Sequence, residues 1–398
     1  MWCATVWRTL ITSLLLLSVL PLQAQMDSTL FTSRYAIDST AVGELRLHID
    51  NLSFFKDNEW DGEMAKGYTL PGLWIQPTVS YTPIPNIQLQ AGLHALLYAG
   101  TIKYPSLMYQ DLPSWKGDQY QKGTHLLPFF RAKAKLGAVH IVLGDIYGGS
   151  NHLLPDPLYA QELNLTADPE MGAQVLIDLK RWHVDAWINW QSFIFRGDHH
   201  SEAFCFGLSN RLSLLSTRSS MTRKGYTLTL PVSLLAQHVG GELDTVKAVT
   251  THFNASVGIE LQRQMPSSWL RKWAVEAHLV GYDQNKGEKW QVTQGWGAYA
   301  AASAQLKCGV GLKAGYMYNH DFQTLLGYRY YGTMSATKAY RYPSVINLKA
   351  DWTKAFTPQY AIGARVEAFA FFADQNTFNL SFGVFFRATP SFRLKKFK

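Results

Sequence analysis

Residues 182–194 read WHVDAWINWQSFI, and the alternation within this segment predicts the type of fold. Apolar side chains occupy most alternate positions: Trp182, Val184, Ala186, Ile188, Trp190 and Ile194. The positions between them include polar side chains: His183, Asp185, Asn189 and Gln191. Because successive side chains of a β-strand point to opposite faces of the sheet, this period of two predicts a strand with one apolar and one polar face.

The same alternation recurs along the whole chain. It predicts sixteen strands, with fourteen as the alternative, at residues 43–56, 68–81, 87–100, 125–136, 138–147, 169–180, 182–196, 201–215, 226–238, 248–263, 270–283, 293–306, 308–320, 341–354, 358–372 and 376–389. An even number of strands brings both ends of the array to the same side of a closed sheet. The fold class is therefore predicted to be all-β and antiparallel.

The connections between these strands fall into two classes that alternate along the chain. One class is mostly short: 83–86, 136–137, 180–181 and 306–307, with longer basic connections at 216–225 and 264–269. The other is generally longer: 57–67, 101–124, 148–168, 239–247, 284–292 and 321–340. Short periplasmic turns and long extracellular loops are typical of a transmembrane β-barrel.

A secreted soluble β-sandwich or solenoid is the alternative, since it would alternate in the same way. Aromatic residues make up 14% of the chain, however. On a soluble sandwich, Trp and Phe side chains on so many outward faces would form large exposed apolar patches. In a barrel they form girdles at the two membrane interfaces, so the composition favours the barrel.

The N-terminus has the pattern of a secretory signal peptide. Arg8 precedes an apolar run over residues 10–22, and small residues before Gln25 offer a cleavage site. No other stretch is apolar for the ~18 residues that a membrane-spanning helix needs. The predicted division is 1–24 signal peptide, 25–42 polar periplasmic segment, 43–389 outer-membrane β-barrel and 390–398 basic C-terminal tail.

The charge balance and the cysteines exclude several classes of protein. The 398 residues include 37 Lys and Arg against 29 Asp and Glu, a net charge of +8, and the mean hydropathy is −0.10. With 47% hydrophobic and only 17% charged residues, the chain can bury enough apolar surface to fold, which excludes a disordered protein. Cys205 and Cys308 are too few for a disulfide framework. Basic residues cluster in the short connections, where they suit anionic lipid headgroups, and a solvated, aggregation-resistant rim is the alternative. The sequence lacks the compact basic domain that would indicate a nucleic-acid partner.

The chain resembles the porin-like outer-membrane β-barrel proteins of Bacteroidota, although it indicates no single subfamily. The resemblance is based on the cleavage site before Gln25, the alternating hairpins, and the aromatic last strand Phe378–Arg387, which looks like a barrel-assembly signal. It implies an outer-membrane location, contact with outer-membrane lipids, and recognition by the barrel-assembly machinery. The tail at 390–398 is a departure, because many such barrels end at the strand itself.

Motifs for catalysis or cofactor binding are missing from the sequence. It has no phosphate-binding glycine loop, no His-Glu-x-x-His and no Gly-x-Ser-x-Gly. Ser150, Asn151 and His152 invite comparison with an outer-membrane phospholipase, but three neighbours in one loop lack the geometry of nucleophile, base and orienting group. The acids Asp145, Asp156, Asp168 and Glu170 match no compact calcium loop. The sequence therefore predicts no enzyme, no cofactor and no metal site.

Two functions remain. The first is a channel that passes small hydrophilic solutes; the alternative is a plugged barrel that acts as a structural, assembly or surface-interaction subunit. For the channel, the predicted lumen and constriction residues are Arg46, Arg131, Lys133, Lys135, Asp156, Glu162, Asp168 and Arg365. Pro155 and Pro157 stiffen the segment 148–168, which is predicted to fold into the lumen. Its acids are predicted to face the basic row of β-strand residues 131–135, although a loop folded over the rim is the alternative.

The polar segment before the first strand contains two possible O-glycosylation sites. Ser28 and Ser39 lie in the tripeptides Asp-Ser-Thr at 27–29 and 38–40. These resemble the short Asp-Ser/Thr sites that Bacteroidota glycosylate in the periplasm. An undecorated linker is the alternative.

Overall fold

A computed structural model gives the structure of the chain. It describes residues 26–99, 123–194, 201–217, 224–241, 249–287, 290–335, 338–373 and 377–397. The predicted signal peptide lies outside the described residues. So does most of the predicted long loop at 101–124.

Within the described residues, the strands are long and follow each other along the chain. They are β1 Glu44–Glu59, β2 Tyr68–Ile84, β3 Ile87–Tyr98, β4 Gly123–Leu136, β5 Val139–Asp145, β6 Met171–Asp178, β7 Trp182–Ser192, β8 Ala203–Ser216, β9 Gly225–Val239, β10 Thr250–Gln264, β11 Leu270–Lys286, β12 Gln294–Leu306, β13 Val310–His320, β14 Ser344–Thr357, β15 Tyr360–Phe371, β16 Thr377–Ala388 and β17 Ser391–Lys396.

From β1 to β16 each strand pairs antiparallel with the next, and the sheet closes on itself through β1. Residues 51–59 of β1 pair with β16, and residues 44–48 pair with β17. The wall therefore has sixteen positions, which confirms the predicted barrel. The C-terminal residues 391–396 are not a free tail, because β17 continues the last strand along β1 after an interruption at Pro390.

The alternation in β7 sorts its side chains as the sequence predicts. Asp185 is fully buried and Trp187 is 3% exposed on the lumen face, whereas Trp182 is 41% exposed on the outer face. The same outward exposure of apolar residues recurs around the barrel, for example at Leu126 and Leu279. Such an outer surface is stable when lipid covers it.

Two rims bound the barrel. The short-turn rim carries the tight connections, such as 85–86 and 137–138, and the long-loop rim carries the others. In outer-membrane barrels the long-loop rim faces the cell exterior. The helical pieces are single turns: Asp27–Phe31, Ser39–Ala41, Gly149–His152, Asp156–Leu158, Leu163–Thr166 and Arg329–Tyr331. In this part of the chain, no helix is long and apolar enough to cross a membrane.

Candidate functional site

The lumen contains the connection between β5 and β6, residues 146–170, here called the inward loop. Leu158 and Ala160 are fully buried and Leu163 is 2% exposed, within one apolar cluster that includes wall residues. The short helical turns at Asp156–Leu158 and Leu163–Thr166 keep the loop compact. The predicted inward folding of this segment is confirmed.

Ion pairs fix the acids of the inward loop to the wall. Asp156 Oδ2 lies 3.0 Å from Lys313 Nζ and 3.7 Å from Lys349 Nζ. Burial alone would raise the pKa of Asp156, but these two lysines outweigh it and hold the pKa below its usual value. Glu162 accepts a short hydrogen bond from Lys56 and another from Tyr68. The loop is thus tied to β1, β2, β13 and β14.

His152 in the same loop lies between two carboxylates. Its Nδ1 is 2.8 Å from Asp185 and its Nε2 is 3.1 Å from Glu170, and its ring stacks 3.5 Å from that of Trp187. Burial alone would lower the pKa of His152, but Glu170 and Asp185 outweigh it and raise the pKa to about 9. A charged imidazole with both nitrogens occupied stabilises the loop and is a poor proton acceptor.

The three neighbours Ser150, Asn151 and His152 have separate partners. Ser150 Oγ donates to Gln161 Oε1 at 2.6 Å, and Asn151 Nδ2 donates to the Gly148 carbonyl at 2.7 Å. Neither side chain is hydrogen-bonded to His152. These contacts hold the shape of the inward loop.

A second connection also enters the lumen. It is the aromatic loop, residues 321–343 between β13 and β14, of which the structure describes 321–335 and 338–343. Tyr330 stacks on Phe369 of β15 with ring centroids 4.8 Å apart. The backbone of the aromatic loop is hydrogen-bonded to the inward loop, because Ala160 N donates to Leu326 O at 2.8 Å. The sequence predicted a long extracellular loop here and missed its inward fold.

The segment before β1, residues 26–43, lies inside the barrel as an N-terminal plug. Leu30 is fully buried, Asp27 is 2.6 Å from Arg365, and Arg387 donates to the Leu30 carbonyl. The sequence predicted a polar periplasmic segment at 25–42. The structure differs because apolar residues in this segment, such as Phe31, pack against the lumen face of β16.

The predicted lumen residues are on the lumen side, but their pairing differs from the prediction. Asp168 contacts His125 at 2.7 Å, so none of the three acids pairs with Arg131, Lys133 or Lys135. The remaining contacts are Arg46 with Glu44 at 3.1 Å and Arg365 with Asp351 at 2.6 Å. Lys135 is exposed near the short-turn rim. Asp156 and Glu162 reach across the lumen to β13, β14 and β1, whereas Asp168 pairs with a different residue of β4 itself.

A cavity of about 1470 Å³ remains beside the inward loop and the N-terminal plug. Its lining includes Arg131 and Lys133 of β4 and reaches the turn at 358–359 on the short-turn rim. The described residues contain no group of three His, Cys, Asp or Glu side chains placed to hold a metal ion.

The outer wall carries a second concave feature, the outer groove, of about 420 Å³. Small residues on adjacent strands make its floor: Ala277, Ala298 and Ala300. Larger residues make its sides: Val257, Ile259, Leu279, Tyr316 and Tyr318. Leu279 is 60% exposed, so the groove faces the lipid.

His320 stands at the long-loop end of this groove, one outward position beyond Tyr318 on β13. Its ring is parallel to that of Trp296, with centroids 5.9 Å apart, and meets Tyr342 edge-on at 4.9 Å. The Nδ1 atom is 3.6 Å from Asp321 Oδ2. Sequence reasoning missed this pair, although the outward register of Tyr316, Tyr318 and His320 could have indicated it.

The backbone at Asp321 is unusual. Its φ of 54° lies in the left-handed region, which non-glycine residues seldom adopt. A Cβ at Gly295 would lie 2.0 Å from the Asp321 carbonyl oxygen, so only glycine permits this close approach of β12. Conformations of this kind often occur at functional sites. Arg341 lies beside the pair, over the Tyr342 ring at 5.2 Å.

A family model described as lipid A 3'-O-deacylase-type matches residues 37–397. The chain belongs to this family. The sequence prediction that the protein is not an enzyme is thereby wrong, because the family is named for an enzymatic activity. The short catalytic motifs, in which the functional residues are close together in the sequence, do not occur in this chain and therefore gave no indication of an enzyme.

No curated protein matches the chain. Among solved structures, a loop-deletion mutant of OmpT, an outer membrane protein of Vibrio cholerae, has a TM-score of 0.50 at 11% identity and covers 87% of this chain and 99% of its own. OprD of Pseudomonas aeruginosa has a TM-score of 0.45 at 10% identity, with 90% and 98% covered. The protein is a porin-like β-barrel of the outer membrane, as the sequence predicted.

Proposed function

We propose that the protein hydrolyses an ester-linked acyl chain of lipid A in the outer leaflet. The observation that carries the proposal is the position of the His320–Asp321 pair at the end of the outer groove, which is called the acyl groove from here on after its proposed ligand. Membership of a lipid A 3'-O-deacylase-type family supports the substrate class. The groove and the pair both face outward, where a lipid reaches them without entering the lumen.

The groove suits an acyl chain. Its floor is alanine, and its sides are exposed aliphatic and tyrosine side chains, so it offers apolar contact along a channel between ridges. Since the acyl chain is already surrounded by hydrocarbon, the groove contributes van der Waals contact and shape complementarity to its binding. The ester of a lipid lies near the polar interface, which places it beside His320 when the chain lies in the groove.

His320 is proposed to act as the general base. Asp321 orients the ring through Nδ1, which leaves Nε2 to remove a proton from an attacking water. Attack on the ester carbonyl breaks the bond to the sugar oxygen, and the proton passes from His320 to that oxygen. The products are a free fatty acid and a sugar hydroxyl. The separation of 3.6 Å is long for a hydrogen bond, as is common before a substrate is bound.

Arg341 supports recognition of a charged headgroup. Its exposed guanidinium lies over the Tyr342 ring, and the Arg341 carbonyl accepts from Asp321 N at 3.2 Å. A guanidinium binds phosphate oxygens in a bidentate manner. A headgroup phosphate bound here would place the acylated sugar next to His320.

The test is fatty-acid release from purified lipid A by the purified protein in detergent, followed by mass spectrometry. His320→Ala and Asp321→Asn are expected to lower the rate by about 100-fold or more, the contribution typical of a positioned acid or base. His183→Gln is the matched control, since His183 has a carboxylate partner, Asp178, at 2.7 Å near the other rim. No release by the unaltered protein, or full activity of His320→Ala, contradicts the proposal.

Passage of small hydrophilic solutes is a second candidate function, favoured by the cavity of about 1470 Å³ in the lumen. The inward loop and the aromatic loop narrow the route between this cavity and the long-loop rim. Single-channel conductance of the purified protein in planar bilayers tests it. Absence of any conductance step contradicts it and favours the plugged barrel.

A further inference from the structure

The lumen cavity has more cationic than anionic groups available to a ligand. Its lining comes from β1–β4 and β14–β16, from the N-terminal plug, and from the inward loop. Since it reaches the turn at 358–359, a solute enters it from the short-turn rim. The lumen cavity shares no lining residue with the groove on the outer wall, so its function does not depend on the proposed hydrolysis of lipid A.

Arg131 and Lys133 of β4 are two cationic residues that line this cavity. Lys133 is 5% exposed, and its Nζ contacts only the Tyr35 carbonyl at 3.4 Å and the Tyr147 hydroxyl at 3.1 Å. Arg131 donates to the carbonyls of Asp145 and Ile146. In the part of the chain that the structure describes, neither has a carboxylate oxygen within 4.0 Å.

Three of the acids that line the same cavity have cationic partners, and the fourth, Asp38, accepts hydrogen bonds from Thr40 N and Thr40 Oγ1. Asp50 pairs with Arg387 at 2.6 Å, and Asp168 pairs with His125 at 2.7 Å. Glu170 pairs with His152 and accepts from Gly149 N at 2.7 Å. The charges of these three acids are therefore largely compensated. Among the described residues, Lys133 has no carboxylate in ion-pair contact, and Arg131 has only the longer-range attraction of the Asp145 carboxylate. Burying such charges without a counter-ion is unfavourable.

Two further polar side chains lack partners at this wall. His94 is 5% exposed, lines the cavity, and has no hydrogen-bond partner at either ring nitrogen among the described residues. Gln90, which is directly opposite Arg131 on β3, has an unpaired Oε1. Such groups are normally satisfied, so unpaired ones that line a cavity indicate a bound polar species.

We infer that this cavity binds a small solute that carries an oxyanion, either a phosphate or a carboxylate group. The oxyanion lies between the guanidinium of Arg131 and the ammonium of Lys133, where it compensates both charges. Gln90 and His94 bind the polar remainder of the solute, deeper in the lumen. The cavity volume of about 1470 Å³ is ample for a small organic acid or phosphate ester.

Calorimetric titration of the full mature protein in detergent tests the site. Inorganic phosphate and succinate are the two probes, in chloride buffer, and choline is the cationic control. Lys133→Gln and Arg131→Gln are expected to weaken binding at least tenfold, whereas Lys133→Arg retains it. Lys135→Gln is the matched control, since Lys135 is two residues further along the same strand and does not line the cavity.

The two probes distinguish the ligand chemistry. Binding of phosphate alone assigns the site to phosphate, and binding of succinate alone assigns it to carboxylates. Heat-modifiable migration in gels verifies that each variant is a folded barrel. Binding of neither anion, or equal binding by a folded Lys133→Gln variant, overturns the inference, and so does equal weakening by Lys135→Gln.

Discussion

The imidazole of His152 lies 2.8 Å from the Asp185 carboxylate, and this contact joins the inward loop to the wall at β7. Because Glu170 occupies the other ring nitrogen, the histidine separates two buried acids. His152→Ala leaves those acids without their cation. Loss of one partner of a buried ion pair lowers the free energy of unfolding by about 3–5 kcal/mol.

Urea unfolding followed by tryptophan fluorescence measures this difference. His183→Gln is the control, because the His183–Asp178 pair is more exposed and contributes at most about 1 kcal/mol. A loss of stability in His152→Ala no larger than in the control contradicts an anchoring role for His152.

The raised pKa of His152 predicts a pH dependence. The folded value of about 9 exceeds the ordinary value of 6.5, so folding favours the protonated ring. The stabilisation by His152 is complete below about pH 6.5 and is lost as the pH rises through about 9. The measurement is the unfolding free energy of the unaltered protein minus that of His152→Gln from pH 6 to pH 10. A difference that stays constant over this range contradicts the prediction.

Because the inward loop fills part of the lumen, we predict that shortening it widens the pore. Deletion of residues 150–160 removes Asp156, whose carboxylate contacts Lys313 and Lys349, and the buried Leu158. We expect a several-fold rise in single-channel conductance, because a segment that fills the lumen is gone. The control is Asp156→Asn, which keeps the loop length. Equal conductance of the deletion variant and the unaltered protein would exclude the loop as a constriction.

Local alternation was enough to predict the wall, because each strand of a barrel has one face to lipid and one to the lumen. The inward fold of 148–168 was predicted on separate grounds, from the two prolines Pro155 and Pro157 that stiffen this segment. Local alternation did not predict the N-terminal plug, since the contact of Asp27 with Arg365 joins residues 338 positions apart. Such pairings depend on the closed barrel and have no local signature.

The outer-wall site was missed for a different reason. His320 and Asp321 lie at the end of β13, and in the sequence a histidine at the end of a strand has no feature that distinguishes it from other residues at the rim. Trp296 and Tyr342, which enclose the ring, come from β12 and from the aromatic loop. Only the closed sheet brings them together. The acyl groove likewise needs small residues on two neighbouring strands at one height.

The two predicted glycosylation sites differ in their surroundings. Ser28 lines the lumen cavity, whereas Ser39 is exposed near the short-turn rim, where Asp38 caps the turn by accepting from Thr40 N at 3.0 Å. A glycan on Ser28 would compete for lumen space with the inward loop. We expect an O-glycan on Ser39 and none on Ser28. Intact-mass measurement of the unaltered protein, Ser39→Ala and Ser28→Ala checks this, and a mass equal to the bare chain contradicts it.

The acyl groove gives the sharpest test of how a lipid meets His320. Ala300→Phe fills the floor between Ala277 and Tyr316, two outward positions along the sheet from the register of His320. If the groove holds the acyl chain, kcat/KM for lipid A falls about 10- to 100-fold, the range for altered apolar fit in a pocket. Hydrolysis of a soluble short-chain ester by the same His320 changes little, because such a substrate does not need the groove.

Ala314→Phe is the matched control, since Ala314 faces outward on the neighbouring strand β13 and does not line the groove. It adds the same ring to the lipid-facing wall and is expected to leave both rates unchanged. If Ala300→Phe and Ala314→Phe lower lipid hydrolysis equally, the groove has no specific role. If Ala300→Phe lowers short-chain ester hydrolysis as much as lipid hydrolysis, the added ring has disturbed the His320–Asp321 pair itself, because only the lipid extends along the groove.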